Sequence, residues 1–138
     1  MPHATLGTMV RISPGKEILL PKKFLDILDD SPETGTYLLV FRRATGIIRI
    51  LPTKSSKAIK IYLEIGDLGT NFLDELGNIY ESLKIQALFS TGLCFEEDRC
   101  MYEAFIDPIN LTVTREELQE ALEGLEGITA VELIEITT

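Results

Sequence analysis

Two groups of residues could bind a charged ligand, and the first is a short segment between a strand pattern and a helix pattern. Amide groups at the start of a helix attract a carboxylate. An acid beside them could hold an ammonium group, so this segment suits a free amino acid. The alternative is a plain strand-to-helix turn whose glycines serve only its geometry. The candidate ligand-binding residues are Gly66, Asp67, Gly69, Thr70 and Asn71.

The second group consists of basic side chains in the first 57 residues. Nine Lys and Arg residues stand there against five acids, whereas residues 58–138 hold four bases and seventeen acids. The two parts therefore carry net charges of +4 and −13, within a total of −9. A basic module can meet the phosphates of DNA; the alternative is that each half is simply a solvated surface. The candidate DNA-binding residues are Arg11, Lys16, Lys22, Lys23, Arg42 and Arg43.

Few residues offer catalytic chemistry. The single histidine, His3, leaves no set of side chains for a multi-histidine metal site or a histidine-based triad. Cys94 and Cys100 flank an acidic turn. A four-residue loop over 96–99 would point them to opposite faces, which favours free thiols, whereas a five-residue loop would pair them directly for an unusual cross-strand bridge. We therefore predict that the protein is not an enzyme and that it has no metal or cofactor.

The chain length and the segment after Pro52 indicate two small modules. The 138 residues suffice for one ordinary domain or two very small ones. Pro52 ends a strand pattern, and a run of Ser and Lys follows it. We predict domains over 1–53 and 58–138, joined by a polar linker over 54–57.

The first module is predicted to contain short strands and one short helix. Pro21 favours a helix start because its missing N–H needs no partner there, and the residues at 30–33 break that helix. Adjacent Arg42 and Arg43 are expected on opposite faces of a strand. So small a piece buries too little apolar surface to be stable alone, which favours a dimer. The predicted elements are strands at 9–12 and 18–20 around a turn at 13–16, a helix over 22–28, and a hairpin of 37–41 and 47–50.

The first module resembles a known family of DNA-binding domains. The stretch Val10-Arg11-Ile12-Ser13, the run from Glu17 to Leu25 with Ile18-Leu19-Leu20-Pro21-Lys22-Lys23, and the closing Ile50-Leu51-Pro52 are similar to the AbrB-like (SpoVT/AbrB, swapped-hairpin) domain. The resemblance covers about residues 8–52. It implies that two chains interlace into one dimeric β-barrel whose basic residues meet DNA.

The second module is predicted to have the element order βαββαβ, the split βαβ (ferredoxin-like) plan. Residues 59–65 alternate apolar and polar side chains as a half-buried strand does. A helix follows from Thr70 or Asn71, then strands over 85–95 and 100–106. Thr114 and Glu117 form a capping box for a second helix, Gly127 is placed to end that helix, and a last strand covers 128–136.

The second module resembles the ACT domain, a regulatory module that commonly binds an amino acid. The similarity lies in Ile61-Tyr62-Leu63-Glu64-Ile65-Gly66-Asp67-Leu68-Gly69-Thr70-Asn71-Phe72-Leu73 and in the terminal pattern from Glu117 to Leu133. The overall prediction is an α+β protein: a swapped-hairpin β-barrel dimerisation domain, then an ACT-type domain.

Function follows from both resemblances. We predict a cytoplasmic, ligand-responsive transcriptional regulator that forms a dimer, or a tetramer if the acidic halves pair, and that binds DNA and an amino acid. No apolar run is long enough to span a membrane. The alternative is a dimeric module that acts on a protein partner without DNA, which Glu17, Leu25 and Asp26 favour because they depart from the AbrB-like pattern.

Overall fold

A computed structural model describes residues 4–28, 36–96 and 98–138 of the chain. His3, Glu97 and the predicted helix break at 30–33 lie outside these residues. The chain divides into two compact units, residues 1–32 and residues 33–138. The predicted division of the domains at 54–57 stays a prediction.

The first unit has one turn and one helix among its described residues. Lys16 donates from its amide to the Ser13 carbonyl at 3.1 Å, and Gly15 has a φ of +73°, so the predicted turn is confirmed. Helix α1 covers Lys22–Leu28, also as predicted. The predicted strands at 9–12 and 18–20 do not form in the single chain. Their apolar side chains are exposed, Met9 by 97% and Leu19 by 87%.

The second unit begins with an antiparallel hairpin of β1 (Tyr37–Arg42) and β2 (Ile47–Pro52). Gly46, with a φ of +72°, closes the turn between the strands. The predicted hairpin is therefore confirmed. The described strands of one chain form no closed barrel, and the interlaced barrel of two chains stays a prediction.

A four-stranded antiparallel sheet and two helices complete this unit. The strand order β4-β5-β3-β6 and the succession of elements are those of a split βαβ plan, so the α+β class and the βαββαβ order are confirmed. A short 3-10 helix, Pro108–Asn110, follows β5 and was not predicted. The elements are β3 (Lys57–Ile65), α2 (Phe72–Ser82), β4 (Gln86–Glu96), β5 (Arg99–Asp107), α3 (Arg115–Glu123) and β6 (Ile128–Thr137).

The main core lies between the helices and one face of the sheet. Every second residue of β3, from Ile59 to Ile65, is buried there, because alternate side chains of a strand share a face. Leu76 of α2 and Leu118 and Leu122 of α3 cover them. Thr114 accepts a hydrogen bond from the Glu117 amide at 3.2 Å, which confirms Thr114 as the N-cap of the predicted capping box; the Glu117 carboxylate accepts from the Thr114 hydroxyl, also at 3.2 Å.

The opposite face of the sheet carries the hairpin. Leu38 and Val40 of β1 are buried with Ala58 of β3, and Phe105 and Ile136 pack against them. These sheet residues stand in register with the outward-facing positions of β3, on the side away from the helices. The second unit therefore has three layers: the helices, the sheet and the hairpin.

The segment predicted as a polar linker is held by one buried carboxylate. Asp107, at the end of β5, is 1% exposed. It accepts hydrogen bonds from the Lys54 amide at 2.7 Å, the Ser55 hydroxyl at 2.8 Å and the Ile109 amide at 3.0 Å. Thr53 is also buried and donates from its amide to Thr36. The path from β2 to β3 is therefore fixed within the second unit.

Cys94 and Cys100 form a disulfide across β4 and β5. The strand register shifts between Cys94 and Glu96, so that Phe95 is left out of the pairing and the two cysteines face each other. The expectation of free thiols is wrong, because it rested on a loop that kept strict alternation up to the turn. The alternative of directly paired cysteines describes the strands correctly.

None of the helices in the described parts of the chain combines the length and apolar composition that crossing a lipid bilayer would require.

Candidate functional site

Three of the five predicted ligand-binding residues line one small pocket. Gly69, Thr70 and Asn71 precede α2 and border a pocket of about 180 Å³. Phe72 forms its apolar wall and is buried in the main core, which fixes the start of the helix. Asn71 occupies the N-cap position without a side-chain cap hydrogen bond.

Two acids that the sequence analysis did not assign to the site complete this pocket. Glu75 comes from the first turn of α2, and Glu126 comes from the segment between α3 and β6. None of the described residues that line it is basic. The acids favour a cationic group, while the helix start favours a carboxylate. A free amino acid carries both groups. Glu75 could have been found from its spacing of four residues from Asn71, whereas no sequence signal connects Glu126 with this loop.

The remaining two predicted residues take other positions. Gly66 borders a separate pocket together with Tyr62 and Arg99, and its amide donates to the Gly127 carbonyl at 2.8 Å. Asp67 is exposed and borders none of the pockets described. Its backbone lies so close to Gly127 that a Cβ there would overlap the Asp67 carbonyl oxygen. The contribution of Asp67 to the loop before α2 is therefore the close packing of its backbone against Gly127.

Gly127 does not end a helix, contrary to expectation. Helix α3 ends at Glu123 with Gly124 as its C-cap. Gly127 has a φ of +85° and comes directly before β6. Its left-handed conformation and its missing side chain allow the 66–67 segment to approach.

Four of the six candidate DNA-binding residues lie in the first unit, and all four are exposed. Lys16 closes the turn that follows Ser13, and Lys22 begins α1. Lys23 donates to the Gly7 carbonyl at 2.9 Å and lies 5.9 Å from the centre of the Phe24 ring. Arg11 belongs to the extended segment before the turn.

Arg42 and Arg43 lie at the turn of the hairpin in the second unit, and both border the same cleft. The expectation that they face opposite sides fails because only Arg42 belongs to β1. Arg43 is already in the turn, where the alternation of a strand does not apply. Within the described residues neither forms an ion pair.

The sheet face in this cleft is polar around Tyr62. Lys60 forms an ion pair with Glu103 at 3.2 Å, and the Tyr62 hydroxyl donates to Glu64 at 3.2 Å. Partial burial, the hydrogen bond to Glu64 and the charges of Glu103 and Glu132 raise the pKa of Tyr62 above its ordinary value. Tyr62 is therefore a neutral donor at physiological pH.

No protein-family model matches the chain, and no curated protein matches its sequence.

Proposed function

We propose that the protein is a ligand-responsive regulator without catalytic activity. Its first module, residues 1–53, dimerises and binds DNA. Its second module, the ACT-like domain over 58–138, senses an amino acid. The observation that carries the proposal is the contrast between the two units. Among the described residues of the first unit no side chain is buried, whereas the second unit has a complete core.

The exposed apolar residues of the first unit support a dimer as the working form. Met9, Ile12 and Leu19 are exposed and lie in segments that form no strand within the described part of the single chain. Apolar strands with open backbone groups are stabilised when they pair with another chain. A second copy of this chain, interlaced as in swapped-hairpin domains, supplies such strands.

The net charge of +4 on residues 1–57 supports DNA as a partner of the predicted first module, while residues 1–32 alone hold four bases and four acids. Arg11, Lys16, Lys22 and Lys23 are all exposed and available to phosphate oxygens. Residues 58–138, with a net charge of −13, repel DNA, so that DNA binding is confined to the first module.

The pocket at the start of α2 supports an amino acid as the effector. Glu75 and Glu126 suit its ammonium group, and the helix start suits its carboxylate. Asp107 ties the sheet to residues 54–55 within the second unit. A ligand that favours one arrangement of paired ACT-like domains is proposed to shift the spacing of the basic segments through the residues that follow Pro52.

DNA binding is tested by fluorescence anisotropy with a labelled duplex over a salt series. We expect the affinity to fall steeply as salt rises, and Lys22→Gln to reduce the slope of log K against log salt by about 0.9 for each of the two copies of Lys22 that contacts a phosphate in the dimer. Lys57→Gln, which removes an exposed charge of the second unit, is the control and should leave the slope unchanged. Absence of binding at about 50 mM salt would remove DNA from the proposal.

The second candidate is a dimer that acts on a protein partner without DNA. Glu17 and Asp26 favour it, because they put acids among the basic residues of the first unit. Sedimentation analysis that finds a dimer, together with no anisotropy change on any duplex, would select this candidate.

The effector site is tested by thermal melting with each common amino acid. A bound amino acid at about 100 times its Kd adds about 2.7 kcal/mol to the free energy of unfolding. We expect Glu126→Gln to abolish the shift and Asp67→Ala, outside the pocket, to keep it. A flat panel, or a shift lost equally in both variants, would contradict this site.

A further inference from the structure

We propose that the cleft between the β1–β2 hairpin and the outer face of the sheet binds a small amphipathic anion: an apolar ring or chain that ends in a carboxylate. The cleft has a volume of about 550 Å³ and shares no lining residue with the pocket at the start of α2. Its volume falls within the range of small-molecule sites. The site is therefore a second one, independent of the proposed effector site.

The walls of the cleft are largely apolar. Phe89 and Phe105 pair directly across β4 and β5, as do Leu93 and Met101, so their side chains share the outer face of the sheet. The hairpin forms the opposite wall with part of β1, from Leu39 to Phe41. The Arg49 guanidinium lies 5.0 Å from the centre of the Phe89 ring, so the apolar contact area of the cleft comes from Leu93, Met101 and the β1 side chains together with the uncovered parts of the two rings.

The charge of the cleft is positive, although the chain as a whole carries −9. Three basic side chains and one acid line it, for a net charge of +2. Lys60 is neutralised by Glu103 at 3.2 Å and lies 5.6 Å from the centre of the Phe105 ring. The uncompensated charge is that of Arg42 and Arg43.

These two arginines determine the class of ligand. Both lie at the turn end of the hairpin, and neither has an acidic partner in the part of the chain that the structure describes. A guanidinium group binds a carboxylate through two parallel hydrogen bonds. An apolar body against Phe89 and Phe105 with a carboxylate toward the turn satisfies both parts of the cleft.

The test is isothermal titration of the full chain, without DNA, with 2-naphthoate and its neutral counterpart 2-naphthamide. The two compounds share the apolar ring and differ in charge. We expect 2-naphthoate to bind at least about tenfold more tightly, the effect of one charge-assisted hydrogen bond. No binding of 2-naphthoate, or equal affinities for the two compounds, would overturn the proposal.

Substitutions inside and outside the cleft test whether 2-naphthoate binds there. Arg42→Gln with Arg43→Gln should weaken 2-naphthoate at least about tenfold and leave 2-naphthamide unchanged. Leu93→Ser, at a half-exposed position in the apolar wall, should weaken both compounds. Lys54→Gln with Lys57→Gln removes the same charge outside the cleft and should change neither. Equal losses in the two double variants would indicate a general charge effect and contradict the site, while the proposed regulator would stand.

Discussion

Replacing Asp107 with alanine is expected to lower the free energy of unfolding by about 3–4 kcal/mol. The carboxylate is buried and accepts three hydrogen bonds, from the amides of Lys54 and Ile109 and from the Ser55 hydroxyl. Its loss leaves the amides of Lys54 and Ile109 without this acceptor, while the Ser55 hydroxyl still has the Lys57 carbonyl at 2.9 Å; each donor left unsatisfied costs about 1–3 kcal/mol, and the cavity left by the buried carboxylate adds to this. Urea unfolding followed by circular dichroism measures the change.

Two further variants separate the role of Asp107 from a general effect of losing an acid. Asp107→Asn keeps one acceptor oxygen and should cost about half as much as alanine. Asp67→Ala removes an exposed acid and should change stability by less than about 0.5 kcal/mol. Faster amide hydrogen exchange over 53–57 in Asp107→Ala would show that the anchor holds this segment. An Asp107→Ala protein as stable as the parent would refute the anchor.

The strands and helices of the second unit could be predicted from the sequence because each one is marked by a pattern within a short run of neighbouring residues. The alternation from Ile59 to Ile65 and the capping pair Thr114 and Glu117 each need only a few neighbouring residues to be recognised. These patterns identify each strand and helix without knowledge of the order of the strands in the sheet. For that reason the α+β class and the βαββαβ order could be inferred without coordinates.

The sequence-based prediction missed features that depend on a distant residue, on a strand partner or on the register between two strands. No local pattern shows that Lys54 and Ser55 are held by Asp107, about 50 positions later; the domain division at 54–57 stays a prediction. The predicted strands at 9–12 and 18–20 have the right composition, but a strand also requires a neighbour, which the single chain does not supply. Cys94 and Cys100 pair because a shift in register moves Phe95 out of the ladder.

The candidate sites show the same limit. Gly69, Thr70 and Asn71 are contiguous and share a pocket as predicted, but Glu126 reaches it only through the return of the chain after α3. Arg42 and Arg43 were assigned to DNA on charge alone. Their place beside Phe89 and Phe105 depends on the hairpin packing against the sheet, which no local pattern encodes.

Replacing Gly127 with alanine is expected to lower the free energy of unfolding by about 3 kcal/mol or more. Two costs combine at this position. The φ of +85° is unfavourable for any residue with a Cβ, and that Cβ would overlap the Asp67 carbonyl oxygen. The 66–67 segment would have to move away, which breaks the hydrogen bond from the Gly66 amide to the Gly127 carbonyl. Urea unfolding measures the loss.

Two other glycines separate the costs at Gly127. Gly46 has a φ of +72° but open space around a Cβ, so Gly46→Ala should cost only about 1 kcal/mol, the conformational part alone. Gly77 lies within α2, also in open space, so Gly77→Ala should raise stability by about 1 kcal/mol. If Gly127→Ala cost no more than Gly46→Ala, the close approach of the 66–67 segment would not exist in solution. A larger loss of stability in Gly127→Ala than in Gly46→Ala would show that the loop before α2 is packed against the start of β6. The pocket of Glu75 and Glu126 depends on that loop.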